Sequence, residues 1–331
     1  MKKFLAITLA AAMLITTVGC GAPKKETEKT PVAAPPATET APTFTVDKIG
    51  VTYVKSPLNV PSIVEKEKGM FAESFGKYSL PVEYSNLTTG PEQTSALASG
   101  DLQFLNAVGA TSVILAASNE ADIKIISMYS RSPKAFMLFT GNPEIKSAAD
   151  LKGKKVAGPK GTILHELLLA YLATANLTEK DIEFISMGLP DSQAALVANQ
   201  VDCALLAGPG AYTMQKNGST VLTTGEGLVD ATIVVAASDK FIQANRPLVD
   251  TFLESQKSVL DYIAANHDEV VKMTAKETEL PTEAVEEMMK MYDFNMDITD
   301  KDMKSLEKTE QFLFDNGMTE KRVDVQNLIM K

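Results

Sequence analysis

The chain has no tryptophan, only two cysteines and only two histidines in 331 residues. Two cysteines, Cys20 and Cys203, exclude a disulfide-dense scaffold and leave no paired-cysteine zinc spacing. The histidines, His165 and His267, are far apart in sequence. No G-x-S-x-G, Walker loop or G-x-G-x-x-G occurs, so a catalytic reading lacks a nucleophile–base pair, and no metal or cofactor is expected. Basic residues are also short: 32 against 42 acidic ones, a formal charge of −10. Loss of Lys2 and Lys3 with a leader would make that −12. Nucleic acid needs a basic face, so it is not an expected partner. A small anion stays possible, because local donors decide its binding.

What is present begins with a leader. Lys2-Lys3 precede an apolar run over residues 4–18, then Gly19-Cys20. The run is too short at its core for a membrane span and has a signal-peptide layout. A small residue before a single cysteine resembles a bacterial lipobox, which implies cleavage after residue 19, lipidation of Cys20 and an extracytoplasmic, membrane-anchored protein. Thr17 departs from the leucine usual three residues before that cysteine. Residues 21–43 are rich in Pro, Ala, Thr, Lys and Glu and read as a disordered tether spanning roughly 25–30 Å. Cys203 lies in an apolar stretch and reads as a small buried residue.

The remaining chain is long enough for two cores, with 45% apolar residues overall. Over 155–206 the periodicity alternates between strand and helix. A strand at 155–157 meets Gly158-Pro159-Lys160-Gly161. A helix over 162–175 follows, with Asn176 able to take a left-handed cap. Strands at 182–187 and 201–206 flank a helix that Asp191 can cap. Strand–helix–strand repetition predicts a parallel α/β unit, with ligands at the carboxyl ends of its strands. Residues 48–129 repeat the pattern, with strands at 48–54, 82–87, 102–107 and 123–129 and a helix from about Pro61. Ala96-Leu97 and Ala195-Leu196 echo each other ahead of a strand, which argues for two similar lobes. In the second copy Asn199 replaces the helix-ending Gly100, as asparagine can in a left-handed turn. Extended apolar segments at 135–140 and 231–237 read as crossovers between the lobes. Helices follow over 239–243, 246–266, 267–277, 282–294 and 299–316. Their methionines read as core filler.

The stretch "ADLKGKKVA", a Gly-Thr helix start with a histidine three residues on, and "AL" ahead of "QVD" resemble the nitrate/sulfonate/taurine-type binding proteins of ABC importers. Glu67-Lys68-Gly69-Met70-Phe71, Ala96-Leu97-Ala98-Ser99-Gly100-Asp101, Ala107-Val108-Gly109 and Ser130-Arg131-Ser132-Pro133-Lys134-Ala135-Phe136 extend the resemblance over about 46–239. It implies a two-lobed α/β fold of periplasmic-binding-protein type II, with lobe one from 44–135 and 235–331 and lobe two from 136–234. It further implies a small-molecule ligand, an ABC permease as partner and a monomer. A sulfonate- or nitrate-like anion is the expected cargo. Two alternatives stand beside it: a thiamine-precursor (pyrimidine) binder or synthase on the same fold, and an adhesion lipoprotein. The absence of Trp, with Leu206-Ala207-Gly208-Pro209 where family members often carry Trp or Glu-Pro, weakens a stacked-aromatic site.

Candidate contacts cluster at the predicted strand–helix turns. Lys160, Gly161 and Thr162 open a helix whose free amides and dipole suit an anion; plain N-capping would also explain the threonine. Thr88, Thr89 and Gly90 form the corresponding turn in lobe one. Gly109, Ala110 and Thr111 form a third, and the loop with Ser56 and Asn59 a fourth. His165 reads as a satisfied histidine or a cleft residue. Arg131 reads as an anion partner or a structural salt bridge near the hinge, and Asp191 as a cap or a ligand contact.

Overall fold

The computed structural model describes residues 43–331. The leader, Cys20 and the tether up to residue 42 lie outside the described residues. In chain order the elements are β1 (Ile49–Thr52), α1 (Val60–Lys68), α2 (Met70–Gly76), β2 (Val82–Ser85), α3 (Gly90–Ser99), β3 (Leu105–Gly109), α4 (Ala110–Ser118) and β4 (Lys124–Arg131). Then come β5 (Phe136–Thr140), β6 (Lys155–Gly158), α5 (Ile163–Ala173), β7 (Glu183–Ser186), α6 (Leu189–Val197), β8 (Cys203–Ala207), α7 (Gly208–Lys216), β9 (Thr220–Thr224) and β10 (Thr232–Ala237). The chain ends with α8 (Asp239–Ala244), α9 (Arg246–Ala265), α10 (His267–Thr278), α11 (Thr282–Met289) and α12 (Asp300–Asp315).

Local chemistry sets many of these boundaries. Pro61 sits in the first turn of α1, where its missing N–H costs nothing. Thr89 and Glu92 form a reciprocal capping box at the start of α3, and Gly100 ends that helix at φ 86°. Asn176 and Asn199 both take the left-handed conformation, at φ 57° and 54°.

Strands β7-β6-β8-β5-β9 form one five-stranded sheet. In it β6 runs parallel to β7 and β8, and β5 antiparallel to β8 and β9. Strands β3-β10-β4 form a second sheet, and β1 pairs with β2. A parallel bridge from Val51 to Phe104, and the Phe104 amide donating to the Gly50 carbonyl at 3.1 Å, join β1 to the segment entering β3. The joined order β2-β1-β3-β10-β4 repeats β7-β6-β8-β5-β9 strand for strand. Each half is thus three βα units, a fourth strand of its own (β4 or β9) and one strand that arrives from the other half (β10 or β5). The Ala-Leu echo falls in α3 and α6, and it extends to Pro91-Glu92 against Pro190-Asp191 in their first turns.

Two expectations need correction, and one strand was missed. The apolar segments read as crossovers are strands, but each lies wholly within one sheet. The passages themselves are the short 3-10 turn Pro133–Ala135 and residues 225–231. Helix α11 stops at Met289 instead of near Phe294. The chain beyond it runs extended beside β4, where the Met128 amide donates to the Met296 carbonyl and Arg131 and Asp293 exchange backbone hydrogen bonds. An edge with unpaired backbone groups outweighed a helical spacing of apolar residues. Strand β9, half-buried beside β5, was not anticipated.

The core follows the sheets. Leu164, Leu167, Leu168 and Leu172 of α5 are buried. Phe252 of α9 stacks on Phe104 with ring centroids 4.2 Å apart and meets Phe71 at 4.7 Å. Helix α12 buries Leu306 and Leu313 in a cluster with Val113 and Ile114 of α4. Met288 is buried beside Val60 and Val64 as core filler.

Candidate functional site

The carboxyl ends of the parallel strands from both halves meet at one cavity of about 340 Å³. From the first half it takes Val54, Ser56 and Pro57 of the β1–α1 loop, Thr88, Thr89, Gly90 and Gln93 at α3, and Ala107, Gly109 and Ser112 at α4. From the five-stranded half it takes Pro159 and Thr162–Leu164 at α5, Leu189, Pro190 and Gln193 at α6, and Leu206, Ala207, Pro209 and Gly210 at α7. Phe136 of β5 and Ile233 of β10 complete the wall. Five helix N-termini therefore surround the space. None of α4, α5, α6 and α7 has a side-chain cap. At α5 the amides of Ile163 and Leu164 have no acceptor among the described residues. No Asp, Glu, Lys, Arg or His lines the cavity. Its field comes from oriented amides instead, which favour negative charge.

Several polar side chains of the lining are already engaged. The Thr89 hydroxyl donates to Glu92 at 2.8 Å, that of Ser112 to the Gly161 carbonyl at 2.7 Å and that of Thr162 to the Pro159 carbonyl at 2.8 Å. Gln93 donates from Nε2 to the Leu87 carbonyl at 3.0 Å. Ser56, Thr88 and Gln193 have no side-chain partner among the described residues, so their neutral groups face the cavity unspent.

The two halves touch closely around this space. A Cβ on Gly208, whose φ is +67°, would lie 2.0 Å from the Pro57 carbonyl oxygen. A Cβ on Gly109 would lie 3.3 Å from Ile163. Beside the cavity, Glu166 of α5 is 5% exposed and accepts hydrogen bonds from Thr111 of α4 at 2.5 Å and from Thr309 of α12 at 2.9 Å. Burial raises its carboxyl pKa, and the two hydroxyls oppose that rise.

Ser56, Thr88, Thr89, Gly90, Gly109 and Thr162 lie where the sequence placed them, on the cavity wall. The other candidates are elsewhere, each for a visible reason. Asn59 is buried and ties its own loop, donating to the carbonyls of Val54 and Ser56 at 2.8 and 3.1 Å. Ala110 is buried in the core and Thr111 is spent on Glu166. Arg131 chelates Asp302 through Nε and Nη2 at 2.6 and 2.7 Å and donates to the carbonyls of Asn295 and Asp297. It is the structural salt bridge. Burial opposes ionisation of Asp302, but Arg131 and Thr299 outweigh it and hold the carboxyl at about 2.

Lys160 turns away from the cavity to Glu179 at 3.0 Å. The Gly161 amide donates to His165 Nδ1 at 3.3 Å, so it is not free. His165 is fully buried, stacks on Phe184 at 4.8 Å and meets Glu179 through Nε2 at 2.5 Å. Burial lowers its pKa against the pull of Glu179, and Nδ1 faces a donor, so the ring is neutral with its proton on Nε2. Asp191 is exposed in the first turn of α6 and off the wall. Sequence reasoning missed Gln93, Ser112 and Gln193. Each sits within the first turns of a helix that begins at a correctly placed turn, which is the signal that could have found them.

The profile of the family described as "NMT1/THI5 like" matches residues 57–270. A Bacillus subtilis (strain 168) protein named for binding aliphatic sulfonates is 26% identical over 286 residues, covering 85% of each chain. The taurine-binding periplasmic protein of Escherichia coli (strain K12) is 26% identical over 233 residues, covering 70% of this chain and 65% of that one. In three dimensions, the alkanesulfonate-binding protein SsuA of Xanthomonas axonopodis pv. citri superposes with a TM-score of 0.78 at 22% identity, over 86% of this chain and 98% of that one. The fold is accordingly the two-lobed α/β architecture of periplasmic binding proteins. With a family profile spanning more than half of its length and a matching fold, the chain belongs to the NMT1/THI5-like family.

Proposed function

We propose that this protein is a lipid-anchored, extracytoplasmic solute receptor that captures a small organic anion of the sulfonate type and delivers it to an ABC permease. The observation that carries this reading is the meeting of five helix N-termini at a cavity with no ionisable side chain. Such a site binds negative charge through backbone dipoles and hydroxyls. The names of the relatives, for aliphatic sulfonates and taurine, support the same headgroup. The halves 44–135 with 235–331, and 136–234, act as lobes that close as a hinge about the two passages between sheets. Each lobe supplies part of the wall, so the full set of contacts exists only when they meet. The protein acts as a monomer and performs no chemistry on its cargo.

Thr162→Asp tests the headgroup reading. Asp is a good N-cap, so the fold should hold. Its carboxylate would occupy the uncapped start of α5, where the ligand's charge would sit. Titration with hexanesulfonate should then be at least about tenfold weaker than in the parent, a loss of about 1.4 kcal/mol. Undiminished binding by a folded Thr162→Asp protein would refute an anion at this helix.

A further inference from the structure

The walls of the cavity restrict the rest of the ligand as well as its headgroup. Resting on the sulfonate reading above, we infer that the cargo is singly charged, with an uncharged apolar body of about six to eight heavy atoms, and that ω-ammonium sulfonates are rejected. Volume comes first. At about 30 Å³ per water-sized group, a cavity of about 340 Å³ holds about eleven heavy atoms. A sulfonate's sulfur and three oxygens take four of these places, which leaves about seven for the body. A two-carbon body would leave much of the space unfilled, and unfilled apolar space forfeits contacts on every side.

Composition comes second. The large apolar side chains of the wall are Val54, Phe136 and Ile233, Leu206 near the end of β8, and Leu164 and Leu189 in the first turns of α5 and α6. Burying methylenes or a ring against these side chains is favourable in proportion to area. Beside the lone unpartnered acceptor Gln93 Oε1, the polar side chains of the wall without a partner among the described residues are Ser56, Thr88 and Gln193, all neutral. They can complete the sulfonate's hydrogen bonds without requiring a second charge on the ligand.

Charge comes third. An ammonium on the body would lose its water and find no carboxylate on the wall. It would also sit among the positive ends of the helices that attract the sulfonate. The two penalties act together, so a zwitterion is disfavoured by the feature that selects the anion. A second negative charge on the body would likewise find no cation.

The test uses calorimetric titration of the full chain, dialysed free of sulfonates, at one ionic strength and pH 7. Ethane-, butane-, hexane- and octanesulfonate form the length series. Hexanesulfonate and 6-aminohexanesulfonate form the charge pair. Affinity should rise about fourfold per methylene up to about seven carbons and then stop rising. The amino compound should bind at least about thirtyfold more weakly than hexanesulfonate. Sulfonates that bind with no dependence on length, or an amino compound that binds as well as its parent, would overturn this inference and leave the sulfonate reading intact. Failure of every sulfonate to bind would overturn both.

Discussion

Gly208 should report lobe closure directly. Its φ of +67° is left-handed, and a Cβ there would lie 2.0 Å from the carbonyl oxygen of Pro57 on the opposite half. A carbon–oxygen contact relaxes near 3.3 Å, so Gly208→Ala must hold the halves apart by about 1.3 Å at this point. The substitution has two separable consequences. A left-handed alanine costs about 1–2 kcal/mol in any folded state, open or closed, and cancels from the affinity. The contact with Pro57 exists only when the halves meet, and overpacking of this kind costs about 1–3 kcal/mol. That second cost is paid on binding, which weakens hexanesulfonate by about fivefold to 150-fold. Gly218→Ala supplies the control. Its φ is +83°, just past the same helix, and nothing lies within 4 Å of its Cβ. Thermal melts should show similar destabilisation in both variants, while calorimetry shows weakened binding only in Gly208→Ala. Equal affinity in the two variants, with both folded, would refute closure through the Pro57–Gly208 contact.

Other expectations follow from single groups. Asp302, held at about 2 by Arg131 and Thr299 against its burial, contributes stability that is present above pH 4 and lost as pH falls through 2. Melts of Asp302→Asn should show a lower Tm than the parent at pH 7 and a gap that narrows toward pH 2; a gap independent of pH would count against the assignment. Burial pushes Glu65 up to about 7, against hydrogen bonds from Tyr84 and the Phe71 amide. Its raised value means that the fold holds the proton the unfolded chain has released, so stability falls as pH rises from about 4.5 to 7, by up to about 3 kcal/mol. Urea unfolding should show that slope in the parent and a flatter one in Glu65→Gln, and identical slopes would contradict it. Cys20→Ser should move the protein from the membrane to the aqueous fraction, and unchanged membrane retention would exclude the lipid anchor.

Much of the fold was legible because its punctuation is local. Gly100, Asn176 and Asn199 each end a helix in a left-handed turn, and Thr89 with Glu92 opens one, all through contacts within a few residues. The strand–helix alternation then fixes where the βα turns fall, and the turns are what line the cavity. What failed was non-local. The spacing of 282–294 is helical to its end, but after Met289 the chain is taken by β4, whose edge lies more than 160 positions earlier in sequence. Strand β9 likewise exists because β5 offers it an edge, and its half-buried, threonine-rich sequence carries little signal of its own.

The charged candidates stand off the cavity wall for the same physical reason, and that reason bears on what the cavity is. Lys160 and His165 flank a turn that lines the cavity and Arg131 stands just before the passage into β5, yet each is spoken for by a carboxylate from a distant or irregular segment: Asp302 at the start of α12, and Glu179 in a 3-10 turn. A side chain with several donors near a buried turn is drawn to the first acceptor that satisfies it, because leaving a charge unpaired there is costly. Sequence shows the donors and not their partners. Once each is paired, the donors left over the cavity are the first-turn amides of helices that lack a cap and the neutral side chains of Ser56, Thr88 and Gln193. The neutrality of the wall is therefore a consequence of how completely its neighbours are satisfied. An anion that enters meets dipoles fixed by the backbone, with no flexible cation to be ordered on binding, and the cost of preorganising the site has been met by the fold.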